Sequence, residues 1–489
     1  MPLVMLVFQC RQPAILCDLH LTEQYLFCSL PISCTKQIST VSAFVFNTGN
    51  TALHDCAESG SLDIMKLLFS YNAQLQKDSY GMTPLLAAAV TGNTKVVEYL
   101  IERPDSTRPE KIDALELLGA TFVDKKRDLL GAIKFWKCAM LERYRDKNDI
   151  LMKPKGTGRV KAYNNTEEVR TTEDLDELVA EPDEMRMQAL LIRERILGPA
   201  HPDTSYYIRY RGAVYADMGD FDWCIKLWMY ALDMQQKHLE PLNPMTQSSF
   251  LSFAELFSFM MTESRQRRCQ VVPFKDMMII FDKSVQELEK GMTQISKMPG
   301  SDRDLTNFNR YLVIIVHLIS LIGRLSMTLS ERDLHHFKRN VYRLVHMNPR
   351  GTHGLTPLHL ASSKDTTNVG RYPVCSFPDL TVVKLLLEVG ASINAVDHGQ
   401  NTPLHIAAKN EPCQPDVITV LLNHGAHLDA CNVENKNPMQ LLQGISIHEI
   451  VPPLKFISLQ CLAAKTIMRH GIVFHGQVPQ KLEAFIRMH

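Results

Sequence analysis

Gly49-Asn50-Thr51-Ala52-Leu53-His54 opens a phrase that continues through Ala57, Gly60, Ile64, Leu67 and Leu68. Thirty-two residues after Thr51 it returns as Thr83-Pro84-Leu85-Leu86, followed by Ala87, Ala88, Gly92, Val96, Val97 and Leu100. Two more copies read Thr356-Pro357-Leu358-His359 with Leu385, Leu386, Leu387 and Gly390-Ala391, and Thr402-Pro403-Leu404-His405 with Val420, Leu421, Leu422 and Gly425-Ala426. Every position has a mechanical reason. Thr caps a helix start, Pro suits its first turn, Ala lets paired helices approach, and apolar residues at helical spacing face the next unit. Gly390 and Gly425 fall where a helix end takes a left-handed residue.

Period and phrase together are those of ankyrin repeats. The step from Thr356 to Thr402 is 46 residues, well above the usual period of about 33. The excess, with Arg371-Tyr372-Pro373 and Phe377-Pro378, is expected to project as a loop at one edge of the stack. His54, His359 and His405 recur at one repeat position, where a ring that hydrogen-bonds the neighbouring turn is favoured over metal ligation.

Between the ankyrin blocks lies a second spacing. Gly212, Tyr215, Gly219, Phe221, Cys224, Trp228 and Ala231 follow the tetratricopeptide pattern, with small residues at helix crossings and aromatic residues filling the gaps. An earlier copy reads Leu115, Leu118, Gly119, Phe122, Ala132, Trp136 and Ala139, with one extra residue in its turn. Trp136 and Trp228 are therefore assigned to the core. The expected fold class is all-α, a repeat solenoid. Its parts are an atypical, poorly ordered segment over 1–46, two ankyrin repeats over 47–102, tetratricopeptide-like helices over 111–330, two more ankyrin repeats over 350–445 and a helical tail over 455–489.

Composition narrows the function classes. The chain has 489 residues, 45% of them hydrophobic and 22% charged, with 53 basic residues against 53 acidic ones. No global field draws nucleic acid or an anionic membrane, so partners are selected by local surface. The 12 cysteines form no Cys-x-x-Cys pair, which fits reduced thiols in the cytoplasm or nucleus. The longest apolar run, Tyr311 to Ile322, is broken by His317 and Ser320 and reads as a buried helix too short to cross a bilayer. No phosphate loop, nucleophile elbow or zinc-protease helix appears, so neither catalytic residue, cofactor nor metal is expected.

The tail carries two short apolar patterns. Leu459, Ala463 and Ile467 fall at i, i+4 and i+8 of a helix preceded by Ser458, with Leu462 beside them, a stripe that suits insertion into another protein's groove. Val478-Pro479 then precedes Leu482 and Ile486, placing Pro near a helix start and two apolar residues one turn apart. Read alone, the first helix is better explained as a cap on the second ankyrin block; the second pattern, in this order behind it, turns the balance towards a presented tail.

Ser458-Leu459-x-x-x-Ala463-x-x-x-Ile467 is similar to the elongin-binding box of the von Hippel–Lindau type, and Val478-Pro479-x-x-Leu482-x-x-x-Ile486 to the cullin-2 box that follows it. Together with Gly49-Asn-Thr-Ala-Leu-His-Asp-Cys-Ala-Glu-Ser-Gly60 and Arg211-Gly-Ala-Val-Tyr-Ala-Asp217, the chain resembles the feminization (Fem) family of ankyrin substrate receptors from Asn47 to His489. The resemblance implies a non-catalytic receptor subunit of a cullin-2 RING ubiquitin ligase, binding C-terminal degrons that often end in Arg. It implies elongin C contact through Ser458, Leu459, Leu462, Ala463 and Ile467, with elongin B alongside. Cullin-2 and its RING subunit would be selected through Val478, Pro479, Leu482 and Ile486. Family members begin with further ankyrin repeats, so substrate binding is expected to be impaired here. Asp55, Glu58, Asp78 and Tyr80 are candidates to meet a substrate Arg, against the plainer reading of solvated surface charge. A scaffold without ubiquitin machinery is the alternative function.

Overall fold

The computed structural model describes residues 49–146, 148–154, 160–265, 272–297, 302–442 and 453–489. The expected segment 1–46 lies outside the described residues. Every regular element among the described residues is helical. The chain divides into two compact units between Leu239 and Glu240.

The first unit begins with α1 (Ala52–Ser59), α2 (Leu62–Ser70), α3 (Pro84–Thr91) and α4 (Thr94–Ile101), two antiparallel pairs in which α1 packs on α3. Thr51 and Thr83 stand at the helix starts, and Gly60 and Gly92 end α1 and α3 at φ +74° and +83°. The buried alanines Ala57, Ala87, Ala88 and Ala89 permit the close approach. Leu53, Met65, Val97 and Leu100 fill the space between the pairs.

Two longer hairpins follow, α5 (Arg108–Thr121) with α6 (Leu129–Arg143), and, after α7 (Thr172–Leu178) and α8 (Pro182–Leu197), α9 (Pro202–Asp217) with α10 (Phe221–His238). In each hairpin a tryptophan lies against a glycine of the facing helix. Trp136 packs on Gly119 and Trp228 on Gly212, and the indole N–H groups donate to the carbonyls of Glu116 (3.0 Å) and Arg209 (2.8 Å). The extra residue in the first turn is absorbed by a π-helical stretch, Phe122–Lys126, that ends on Arg127 at φ +57°. Such a bulge lengthens the turn without shifting Trp136 away from Gly119.

A buried ionic cluster ties α5, α6 and α8 together. The Glu116 carboxylate accepts two bonds from Arg143 (3.0 and 2.9 Å) and one from Arg195, with Lys153 Nζ 3.6 Å away. Burial alone would raise the Glu116 carboxyl, but Lys153, Arg143 and Arg195 hold it down at about 2.

The second unit starts with four helices, α11 (Pro244–Arg265), α12 (Phe274–Lys297), α13 (Asp302–Gly323) and α14 (Glu331–His346). Phe250 packs edge-on to Tyr311, and Phe281 to Phe337. Helix α13 outruns the apolar stretch in the sequence: Arg303–Gly323 is long and apolar enough to span a bilayer by length and composition. Here it forms core, with the His317 ring bonded to the Thr366 carbonyl (2.8 Å) and Ser320 donating to Asp379 (2.5 Å).

The second ankyrin block comprises α15 (Pro357–Ala361), α16 (Leu380–Glu388), α17 (Pro403–Lys409), α18 (Pro415–Asn423) and a short α19 (Pro438–Leu441). Gly390 and Gly425 both adopt φ +92°. Around each, the paired bonds Gly390 N to Leu387 O with Ala391 N to Leu386 O, and Gly425 N to Leu422 O with Ala426 N to Leu421 O, make the Schellman closure that a left-handed residue allows. The histidines do what their position predicts. The ring Nδ1 accepts from the cap residue's N–H and Nε2–H donates to the carbonyl just before the next repeat: His54 to Met82 (3.0 Å), His359 to Asn401 (2.9 Å) and His405 to Lys436 (3.2 Å).

The insertion does not project. Val374, Cys375 and Phe377 are buried, Ser258 of α11 donates to the Val374 carbonyl (2.9 Å), and the Phe377 ring meets His317 of α13 at 4.8 Å. Its apolar residues had an available face in the neighbouring helices, and burying them removes that area from water.

Candidate partner-docking site

The chain ends in α20 (Pro453–Phe456), α21 (Leu459–Arg469) and α22 (Gln480–Arg487), the last two packed on each other. Ser458 caps α21, its Oγ accepting from the Cys461 N–H (3.2 Å). At 100° per residue, Leu459, Leu462, Ala463 and Ile467 share one face, and Cys461 with Ala464 the other. The second face is buried and the first is turned outward. Leu459 is 84% exposed, Leu462 and Ala463 are exposed, and Ile467 is half-buried. A fully presented leucine in the first turn of a capped helix is held ready, since the side chain that would be inserted needs no rearrangement.

The loop before α22 is fixed by Glu483, whose carboxylate accepts from the Gly476 N–H (2.8 Å) and lies 3.1 Å from His475 Nδ1. These bonds hold the Glu483 carboxyl below its usual range. Pro479 is exposed, Val478 half-buried and Leu482 44% exposed. Ile486, expected on the same outward surface, is only 5% exposed and packs within the chain. The cause lies in the final turn, where Cys431 N–H donates to the Met488 carbonyl (2.9 Å) and the Phe485 ring meets His427 at 5.2 Å. The end of α22 is docked on the ankyrin block while its start remains open.

Of the residues expected near a substrate, Asp55, Glu58 and Tyr80 are exposed on the first unit, Tyr80 lying edge-on to His201 at 5.3 Å. Asp78 is committed otherwise. Its Oδ1 accepts from the Tyr80 N–H (2.9 Å) and Met82 N–H (2.7 Å), closing the turn into Thr83. Asp397 and Asn432 make the same bond to the residue four positions on, at Asn401 and Lys436. An Asp or Asn five residues before Thr83, Thr402 and Asn437 was therefore a legible signal for turn closure at those caps, and Asn432 with Asn437 marks a further repeat start that the Thr-Pro phrase did not reveal.

The structure also gathers four residues that linear spacing keeps apart. His427, Asp429, Cys461 and His489 bring their donor atoms within 4.8 Å of one another, a set able to hold a metal ion. Burial lowers His427; against the same effect, the facing Asp429 raises His489 to about 9.

Fold and site together define a repeat protein of interaction type, with helical arrays for recognition and an apolar tail helix turned outward. A family model of ankyrin repeats matches residues 18–111 and 334–432. Protein fem-1 homolog C of Homo sapiens is 52% identical over 429 residues, which cover 87% of this chain and 68% of that relative. Protein fem-1 homolog A of Bos taurus is 49% identical over 480 residues, covering 90% and 72%. The chain belongs to the Fem-1 family.

Proposed function

We propose that this chain is a substrate-recognition subunit of a cullin-2 RING ubiquitin ligase. The observation that carries the reading is the outward Leu459 on its capped helix. Burying a leucine contributes roughly 1.5–3 kcal/mol, so an elongin C pocket that accepts Leu459, with Leu462, Ala463 and Ile467 alongside, gains a strong anchor. Elongin B joins through elongin C. Pro479 and Leu482, with the half-buried Val478, select cullin-2 and its RING subunit, which with a conjugating enzyme supply the ubiquitin chemistry. Proteins with C-terminal degrons, often Arg-ended, are the substrates, held on the repeat surfaces that include Asp55, Glu58 and Tyr80, in the cytoplasm and also the nucleus.

Co-purification from cells tests the reading. Elongin B, elongin C and cullin-2 are expected with the intact chain, and Leu459→Asp is expected to remove them. Pro479→Ala with Leu482→Ala is expected to lose cullin-2 and keep the elongins. A chain that carries none of the three proteins, or that keeps them all in Leu459→Asp, is a scaffold of another kind.

A further inference from the structure

We propose that His427, Asp429, Cys461 and His489 hold a structural zinc ion that staples the tail helices to the second ankyrin block. The inference is independent of what the tail binds.

Four observations carry it. First, the donors are the right kind: one thiol, two imidazoles and one carboxylate suit zinc, where calcium or magnesium would take oxygen alone. Second, two of the spacings are right, within a set whose donor atoms all lie within 4.8 Å of one another. Cys461 Sγ lies 3.5 Å from His427 Nδ1, and His489 Nε2 lies 3.3 Å from Asp429 Oδ1. Bonds of about 2.0–2.3 Å in tetrahedral array place neighbouring ligand atoms about 3.3–3.6 Å apart. Third, Asp429 Oδ2 is buried with no partner, and Asp429 Oδ1 and His489 Nε2 are buried with only each other, at 3.3 Å. Buried polar atoms are nearly always satisfied, and a cation at the centre of the four would take one Asp429 oxygen and His489 Nε2 at once.

The fourth observation is the outer shell. His489 Nδ1–H donates to the Phe485 carbonyl (3.0 Å), which leaves Nε2 as the nitrogen whose lone pair faces the centre once its proton is released. The Ser458 hydroxyl sits 3.0 Å from Cys461 Sγ, placed to donate to a thiolate. Charge balances as well. Zinc with one thiolate, one carboxylate and two neutral imidazoles is a neutral unit, which removes the main cost of burying an ion. On binding, Cys461 releases its thiol proton to solvent, and His489 releases the Nε2 proton when it carries one. His427, half-buried, leaves a way in.

The ion would join three segments: the ankyrin turn with His427 and Asp429, the start of α21 at Cys461 and the final turn at His489. Leu459 is two residues before Cys461 and Leu482 one helix before His489, so the staple would set the pitch of both exposed leucines.

The test uses the full chain purified without chelator. Metal analysis is expected to find about one zinc per chain, falling at least about tenfold in Cys461→Ser and in His489→Ala, and unchanged in Cys431→Ser, whose thiol points instead at the Asp429 carbonyl. Cobalt added to the zinc-stripped natural chain is expected to give a thiolate-to-cobalt charge-transfer band, a readout that needs no variant to fold. Zinc below about a tenth of an equivalent together with no such band overturns the site. So does a band abolished by Cys431→Ser and kept in Cys461→Ser.

Discussion

Trp228 presses its Cδ1–Nε1 side on Gly212: a methyl group added to that glycine would come within 2.5 Å of the indole Cδ1, and the indole N–H is anchored on the Arg209 carbonyl one turn earlier. Trp136 and Gly119 repeat the arrangement. Neither ring can withdraw without breaking its hydrogen bond. Gly212→Ala and Gly119→Ala are therefore expected to cost about 1–3 kcal/mol or more by overpacking. Gly425→Ala, which meets no neighbour and suffers only from φ +92°, is expected to cost about 1–2 kcal/mol. Urea midpoints of the three variants rank the two mechanisms.

The two faces of the tail should separate folding from docking. Leu459→Asp changes an exposed residue, so its stability is expected to stay within about 0.5 kcal/mol of that of the natural chain. Ile486→Asp buries a charge and is expected to destabilise the tail. Hydrogen exchange over 459–489 reads both: protection unchanged in the first, lost in the second.

Acid is expected to act on the second unit through His317. Burial pushes its ring from 6.5 down to about 4, so the unfolded chain binds the proton that the folded chain refuses. Its contribution is complete above pH 6.5 and declines as the pH falls towards 4, by roughly 3 kcal/mol. His317→Gln, which keeps a donor for the Thr366 carbonyl, is expected to flatten stability against pH in that window. His359 and His405, also lowered by burial, add to the slope in the same direction.

Breaking the ionic cluster of the first unit is expected to cost more than any surface charge change. Glu116→Gln leaves Arg143, Arg195 and Lys153 facing a neutral amide, and removal of one partner of a buried pair costs about 3–5 kcal/mol. Guanidinium melts of the variant, set beside Asp105→Asn in the exposed pair with Arg103, check the contrast.

The repeat over residues 51–70 buries little of its second helix. Only Met65 of α2 is buried, while Ile64 and Leu67 are exposed. Amides from Thr51 to Ser70 are expected to exchange faster than those of α3 and α4, and uniform protection across the four helices would contradict this.

The sequence by itself determined the repeats, because each rule involved acts within a few residues. Thr and Pro start a helix, Gly in the left-handed region ends it, and the recurring His bridges to the next turn; all four phrases appear where the periodicity places them. The Gly119 and Trp136 pairing was legible too, even to the extra residue that became a π-helical turn. That Leu459 and Leu462 share one helix face followed from their spacing; that the face is turned outward did not.

Tertiary structure decided what depends on which surfaces meet. The long insertion turned inward because α11 and α13 offered it partners, Ser258 for the Val374 carbonyl and the His317 ring for Phe377, a fact no local pattern encodes. Ile486 and Leu482 have the same helical phase, yet one is buried, because only the last turn of α22 reaches the ankyrin block. His427, Asp429, Cys461 and His489 have no metal-binding spacing along the chain. They become neighbours only when three separate segments converge, since the fold sets distance through space and sequence sets it only along the backbone.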